Sequence, residues 1–327
     1  VSNRNLDVVV TGVRQVAPRI REYLLTSADR TPLPRSSPGA HVELHLPASY
    51  LGPIVRHYSL IGGFGLRDDP PHTYRIAVQR EQRQRGSAYI HDTFDVGTPV
   101  RISHPLNNFP LSRTEGKSLL IAGGIGITPI LSMLRSLVRR KRDFAIVYSG
   151  RTSELLAYHD DVLELAGARG QVHLSGEPPL EHLNMPALLA AQPLDTITYV
   201  CGPAGMIEAT NNAAKAVGLH PDSIRSELFA SGPHEDDVAF DVELSSSGRR
   251  IRVGRETTIL DALTAAGVDV LSDCRRGECG LCPLQVVATD SEIDHRDRYL
   301  SGDERASGKT LCICVSRIKG ERLVLEA

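Results

Sequence analysis

The 327-residue chain reads as a multidomain protein: an antiparallel β-barrel, then an α/β unit built on a parallel sheet, then a smaller α+β unit. Three observations predict this. The first 110 or so residues hold short runs of alternating apolar and polar character, broken by proline and glycine. From Lys117 the rhythm changes to strand, glycine loop, helix. Beyond a polar stretch at 231–237 the pattern resets, and five of the six cysteines fall after residue 270. A chain of this length exceeds one ordinary core, so domains of about 100 residues each are expected.

In the first segment, runs at 8–10, 23–25, 42–46, 58–61, 74–78 and 100–103 have strand periodicity. Pro32, Pro34, Pro38-Gly39, Gly62-Gly63 and Pro70-Pro71 punctuate them at barrel-like intervals. The second segment predicts strands at 118–122, 144–148, 172–174 and 197–201, with helices at 129–142 and 154–166. Strands alternating with helices imply a parallel sheet. In the third, 240–244 and 251–253 flank Ser245-Ser246-Ser247-Gly248 as a hairpin, and 258–266 reads as a helix stopped by Gly267. The stretch 231–237 is the best linker, and no internal repeat is visible.

A net charge of −2 argues against a nucleic-acid partner. No apolar stretch approaches the roughly 20 residues that span a bilayer, so no membrane partner is expected and a soluble cytoplasmic protein is the expectation. Cysteines in ligand-like spacing need not imply disulfides.

Motifs at three sites carry chemistry. Gly123-Gly124-Ile125-Gly126-Ile127-Thr128-Pro129 lies between a strand and a helix, where small residues let a pyrophosphate approach backbone N–H groups. Thr128 suits an N-cap followed by proline at the first helical position. The same glycines also serve tight turns with no ligand. Tyr199-Val200-Cys201-Gly202-Pro203 ends a second strand of the same unit in the same way, and ligands of open parallel sheets bind beyond the carboxyl ends of strands. In the barrel, Arg56-His57-Tyr58-Ser59 offers a cation for phosphate, a ring and a hydroxyl, a set that suits a flavin. Arg85-Gly86-Ser87-Ala88-Tyr89-Ile90 opens a short helix whose first N–H groups form a second phosphate anchor.

The cysteines are the most specific signal. Cys274-x4-Cys279-x2-Cys282 matches the loop of a plant-type 2Fe-2S cluster, with Gly277 and Gly280 free to take positive φ. Zinc is the rival occupant, although zinc loops more often use two CxxC pairs. Cys312 and Cys314 lie on a predicted strand at 309–317 with both thiols on one face, and spacing does not choose between them as fourth ligand.

In this order and over essentially the whole chain, these residues resemble the phthalate dioxygenase reductase and vanillate demethylase reductase family, within the ferredoxin reductase superfamily. The resemblance implies an FMN-binding domain at 1–112, an NAD(P)-binding domain at 113–231 and a β-grasp ferredoxin domain at 238–327. It implies FMN contacts at Arg56, His57, Tyr58, Ser59, Ala77, Val78, Gly86 and Ser87. It implies nicotinamide-nucleotide contacts at Gly124, Gly126, Thr128, Arg151, Cys201, Gly202 and Pro203, with NADH preferred to NADPH. Relatives often carry Gly-Gly-Ser where this chain has Arg85-Gly86-Ser87. The family's closing cysteine stands directly before x-Ser-Arg, which points to Cys314 and leaves Cys312 as a neighbouring thiol. The run Asp294-His295-Arg296-Asp297 is also shared. Thr128 and Cys201 are the candidates for setting nicotinamide over flavin, and Phe229 for shielding it. The implied function is the reductase component of a Rieske-type oxygenase for an aromatic acid, passing electrons from NAD(P)H through FMN to the cluster; such a reductase can be a monomer. The alternative is a self-contained NAD(P)H-flavin oxidoreductase with a small acceptor.

Overall fold

The computed structural model describes residues 5–49, 52–62, 72–81, 86–113, 116–177, 183–229, 236–255, 257–272, 275–277 and 279–327. The chain forms two compact units, Val1–Leu228 and Phe229–Ala327.

The first unit opens with strands β1 (Asn5–Ala17), β2 (Ile20–Ser27), β3 (His41–Ser49), β4 (Gly52–Ser59) and β5 (Thr73–Gln79), helix α1 (Gly86–Thr93), and β6 (Pro99–Ser103). They form a six-stranded sheet in the order β4-β3-β6-β1-β2-β5, antiparallel throughout. Alternation decides which side is buried: Tyr23 and Leu25, Val42 and Leu44, Tyr74, Ile76 and Val78, and Val100 and Ile102 point into one core, which Ile90 of α1 and Phe94 just beyond it close. Strand β1 far outruns the predicted 8–10. Its register shifts between Val10 and Gly12 and between Gln15 and Ala17 bend it, so one long strand serves both neighbours.

The same unit continues with β7 (Ser118–Gly123), α2 (Ile127–Arg139), β8 (Phe144–Gly150), α3 (His159–Ala166), β9 (Gly170–Leu174), α4 (Met185–Ala190), β10 (Ile197–Cys201), α5 (Ala204–Ala216) and β11 (Ile224–Glu227). The sheet order is β11-β10-β7-β8-β9, all parallel. Every residue of β7 is buried, as expected of a central strand in a parallel sheet covered on both faces. The chain leaves β7 toward β8 and β9, then returns to lay β10 and β11 on the other side. The order therefore reverses between β7 and β10.

Two predicted helices begin elsewhere. A 3₁₀ turn at Gly124–Gly126, made possible by Gly124 at φ +52°, starts α2 at Ile127, two residues early. Thr128 is thus inside the helix and not its N-cap; its hydroxyl donates to the Ile125 carbonyl at 3.1 Å. Pro129 falls at the third helical position, where its missing N–H would have had no intrahelical partner. Helix α3 starts only at His159, because Tyr158 takes the left-handed conformation at φ 59°. That residue crosses to the barrel, its hydroxyl donating to Glu22 Oε2 at 2.9 Å. Gly39 N–H donates to Ser132 Oγ at 2.9 Å and Arg135 to the Ile61 carbonyl at 3.0 Å, further tying α/β sheet to barrel.

The second unit holds β12 (Phe240–Leu244), β13 (Arg250–Val253), α6 (Ile259–Ala265), β14 (Pro283–Thr289), β15 (Ile293–Asp294), α7 (Gly302–Ser307), β16 (Thr310–Cys312), β17 (Arg317–Ile318) and β18 (Arg322–Leu325). Its main sheet runs β13-β12-β18-β14-β16, with β12 and β18 parallel and the other pairs antiparallel; β15 and β17 pair separately. Thr258 caps α6, accepting from Asp261 N–H at 3.0 Å, and Leu260 and Leu263 pack into one core with Phe240, Val242 and Leu323. The strand predicted over 309–317 stops at Cys312, where Val315 and Ser316 N–H both turn back to the Cys312 carbonyl. Residues 231–235 of the predicted linker lie outside the described residues, whereas Asp237 is already buried in this unit. No helix among the described residues is long and apolar enough to cross a membrane.

Candidate functional site

At the carboxyl ends of β7 and β10 the two glycine turns touch. A Cβ on Gly126 would collide with the Cys201 carbonyl, 2.5 Å from its carbon, and a Cβ on Gly202 would stand 3.0 Å from Gly123 Cα. A Cβ on Gly123 would meet Pro203 Cδ at 2.8 Å. Any side chain here would push the strands' ends apart, so close backbone contact is what requires glycine at these three positions. Gly124 differs: nothing lies within 4 Å of where its Cβ would be, so its backbone faces open space. Tyr148, fully buried on β8, donates toward the Gly124 carbonyl at 3.2 Å and the Ala157 carbonyl at 3.0 Å and so holds this turn. Its role was hidden in the sequence, where it reads only as the end of an apolar strand.

Gly124, Gly126, Thr128, Cys201, Gly202 and Pro203 therefore gather at one crevice, at the point where strand order reverses. Cys201 is wholly buried, and Thr128 nearly so. Arg151 is exposed one residue beyond β8, on the same edge of the sheet. A cavity of about 370 Å³ opens at the opposite, amino ends of β7 to β9, lined in part by Lys117, Phe144 and Gly170; none of the predicted residues reaches it.

On the barrel, strand geometry divides the Arg56–Ser59 set. Arg56 stands opposite Leu44 and Tyr58 opposite Val42, on the core-directed face, whereas His57 pairs with Glu43 and Ser59 with His41 on the other. His57 Nε2 lies 3.8 Å from Glu43 Oε1, and its ring is 5.3 Å from that of His41. The decisive contact is with α1: a Cβ on Gly86 would fall 2.6 Å from Arg56 Nε and 2.7 Å from its Cγ. The arginine thus crosses the first residue of the helix, putting its cation beside the helix N-terminus where unpaired N–H groups favour an anion. Ser87 Oγ accepts from Glu81 N–H at 3.2 Å. Ala77 and Val78 are buried on β5, and the Val78 carbonyl accepts from His91 Nε2 at 2.8 Å. Arg85 lies outside the described residues. This site fits a phosphate-bearing cofactor, since two cationic features converge around a glycine with no room for a side chain.

In the second unit Cys282 Sγ and Cys314 Sγ stand 3.1 Å apart, both buried. This is too long for a disulfide, whose sulfurs lie about 2.05 Å apart. Two thiolates sharing a tetrahedral metal at about 2.3 Å would be separated by about 3.8 Å, so a small parting suits them to one ion. Hydrogen bonding with Cys312 first and Cys314 second holds the Cys282 thiol well below the usual thiol range, toward the thiolate that a metal requires. Gly277 and Gly280 both take positive φ, at 73° and 72°, and pack tightly: their Cβ atoms would fall 2.7 Å from Asp297 Cα and 2.6 Å from Tyr299 Cδ2. Cys279 is half-buried, and Cys274 lies outside the described residues. Among the described residues no three His, Cys, Asp or Glu side chains converge in metal-binding geometry. The two adjacent thiols, Cys282 and Cys314, are buried sulfur donors, which fits an iron–sulfur cluster. Phe229 is half-buried at the start of the second unit.

Comparison with known proteins follows the same division. Residues 120–212 match the oxidoreductase NAD-binding domain, and residues 242–319 the 2Fe-2S iron-sulfur cluster binding domain. The chain is 37% identical to vanillate O-demethylase oxidoreductase of Pseudomonas sp. over 98% of its length and 99% of the relative's. The chain belongs to the vanillate O-demethylase oxidoreductase family. It is also 39% identical to the heme-dependent oxidative N-demethylase beta subunit of Ectopseudomonas mendocina, covering 98% of both chains. The solved structure of phthalate dioxygenase reductase, a modular structure for electron transfer from pyridine nucleotides to 2Fe-2S, superposes with a TM-score of 0.83 at 29% identity, over 99% of this chain and 98% of that one. As a member of this family the chain is an NAD(P)H-dependent oxidoreductase with FMN and a 2Fe-2S cluster, and it supplies electrons to an oxygenase.

Proposed function

We propose that the partner is a Rieske-type oxygenase acting on an aromatic acid, and that the reductase works in the cytoplasm as a monomer, drawing on NADH. When bound, the flavin accepts electrons in pairs and releases them singly, which matches a hydride donor to a one-electron cluster. The chain's own residues position these groups. Arg56, with the N–H groups at Gly86 and Ser87, holds the FMN phosphate, while His57, Tyr58, Ser59, Ala77 and Val78 line the ring and ribityl chain. Gly124, Gly126, Gly202, Pro203 and Arg151 receive the dinucleotide; Thr128 and Cys201 orient its nicotinamide, and Phe229 shields the flavin. Cys274, Cys279, Cys282 and Cys314 hold the cluster. The corresponding domains are 1–112, 113–231 and 238–327.

The observation that carries this reading is the buried pair Cys282 and Cys314, 3.1 Å apart and unbridged, in the C-terminal unit of a chain whose first unit has a switch-point crevice. A haem-dependent partner is the second reading, favoured by the 39% identity to a subunit of a heme-dependent demethylase. Purified protein is expected to contain FMN, iron and acid-labile sulfide and to reduce cytochrome c with NADH. Zinc without iron or sulfide would contradict the proposal. Transfer to purified Rieske and haem oxygenases of the family, measured as product formed per NADH, separates the two partners.

A further inference from the structure

None of the sites described above uses the buried Asp297, although its side chain is fully enclosed, unlike the partly exposed Asp294 of the same run. We propose that Asp297 is a positioning residue that locks the three-cysteine loop to the turn carrying the closing cysteine, and so sets how tightly the cluster is held. The inference rests on the cluster reading above and adds a role to a residue outside the ligand set.

Asp297 meets both ligand-bearing segments. Toward the loop, its Cα occupies the space a Gly277 side chain would need, and the next two N–H groups, of Arg298 and Tyr299, donate to the Gly277 carbonyl at 2.8 and 3.1 Å. Toward the closing turn, its Oδ1 accepts from Ser316 Oγ at 3.2 Å, two residues beyond Cys314. Ser316 Oγ in turn accepts from Arg296 N–H at 3.2 Å, so the hydroxyl is held on both sides. The other oxygen, Oδ2, accepts from Leu300 N–H at 2.9 Å, closing the chain back on itself. Arg305 stands 3.7 Å from Oδ2 and donates to the Asp297 carbonyl at 2.6 Å, and His295 Nδ1 lies 3.6 Å from Oδ1.

The chemistry asks for a carboxylate. Two donors approach from different directions, one to each oxygen; an amide of the same shape offers one acceptor oxygen and one group that only donates. A buried donor left without its acceptor costs more than the bond itself contributed. Asp297→Asn therefore keeps the Leu300 bond and meets Ser316 only if that hydroxyl turns to accept, whereas Asp297→Ala keeps the backbone packing on Gly277 but loses both carboxylate hydrogen bonds, including the tie to the closing turn.

The test follows iron release from the holoprotein to an excess of chelator, by loss of visible absorption, together with the EPR line shape of the reduced cluster. Asp297→Ala is expected to release iron at least tenfold faster than wild type with an altered line shape, and Asp297→Asn to fall between. Asp290→Ala provides the control: this carboxylate accepts from the N–H groups of Glu321 and Arg322 in a turn outside the cysteine-bearing segments, and its loss is expected to leave release unchanged. Should Asp297→Ala fail to accumulate, Ser316→Ala removes only the bridging hydroxyl and is expected to quicken release several-fold. Wild-type release and line shape in Asp297→Ala or Ser316→Ala, or equal acceleration in Asp290→Ala, would overturn the inference. A wild-type chain without iron would instead defeat the cluster reading itself.

Discussion

Single residues at this protein's sites act through contacts that the sequence only half discloses. Gly126 is the clearest case. Its place in a glycine run suggested a phosphate loop, but the structure adds that the Cys201 carbonyl fills the space beside it. Gly126→Ala should therefore force the ends of β7 and β10 apart, at a cost of about 1–3 kcal/mol for overpacking. The KM for NADH is expected to rise tenfold or more while FMN content stays at the wild-type level, a split read from steady-state kinetics and released flavin; an unchanged KM would show that the crevice does not hold the nucleotide. The Arg56 stem over Gly86 was likewise out of reach of sequence reasoning, because the two residues lie on different elements and only the packing of α1 against β4 and β5 joins them. Tyr148 gave no signal, since a tyrosine ending an apolar strand is ordinary core.

Elements were legible where periodicity is strong and blurred where backbone conformation decides. The alternating α/β pattern and the hairpin of β12 and β13 appear where period and turn residues put them; each barrel strand overlaps its predicted run, but β1 extends to 5–17 and β4 covers 52–59 where 58–61 was expected. The starts of α2 and α3 depart from expectation because Gly124 and Tyr158 both take positive φ, one a common glycine state and the other held by a buried hydrogen bond to Glu22. The last strand of the cluster region stops at Cys312, since the following N–H groups fold back on its carbonyl. On α1, burial holds His91 below its ordinary value of 6.5, with nearby Arg21 and Arg80 reinforcing and the Val78 carbonyl and Asp92 opposing. A histidine harder to protonate folded than unfolded binds fewer protons in the native state, so stability rises with pH across that window. The contribution is complete above about pH 6.5 and is lost as pH falls toward the folded value. Urea midpoints of the wild type should drop between pH 7.5 and 5.5 by more than those of His91→Gln; equal drops would show that His91 is not the group responsible.

At the scale of the whole molecule, one chain joins a nucleotide crevice and a flavin-suited barrel in its first unit to a thiol-lined loop in its second. The order of these sites along the chain was visible in three motifs, and the family relationship bears it out over nearly the full length. Less visible was how each motif is held, which depends on contacts between residues distant in sequence, such as Gly277 with Asp297. Electrons pass from NADH to flavin and only then to the cluster. Anaerobic rapid mixing of Cys279→Ser and wild-type protein with NADH, followed in the flavin and cluster absorption bands, tests this order most directly. A fast flavin phase is expected in both proteins, followed by a cluster phase in the wild type alone. Bleaching of the cluster before the flavin, or loss of the flavin phase in a folded Cys279→Ser protein that still carries FMN, would contradict it.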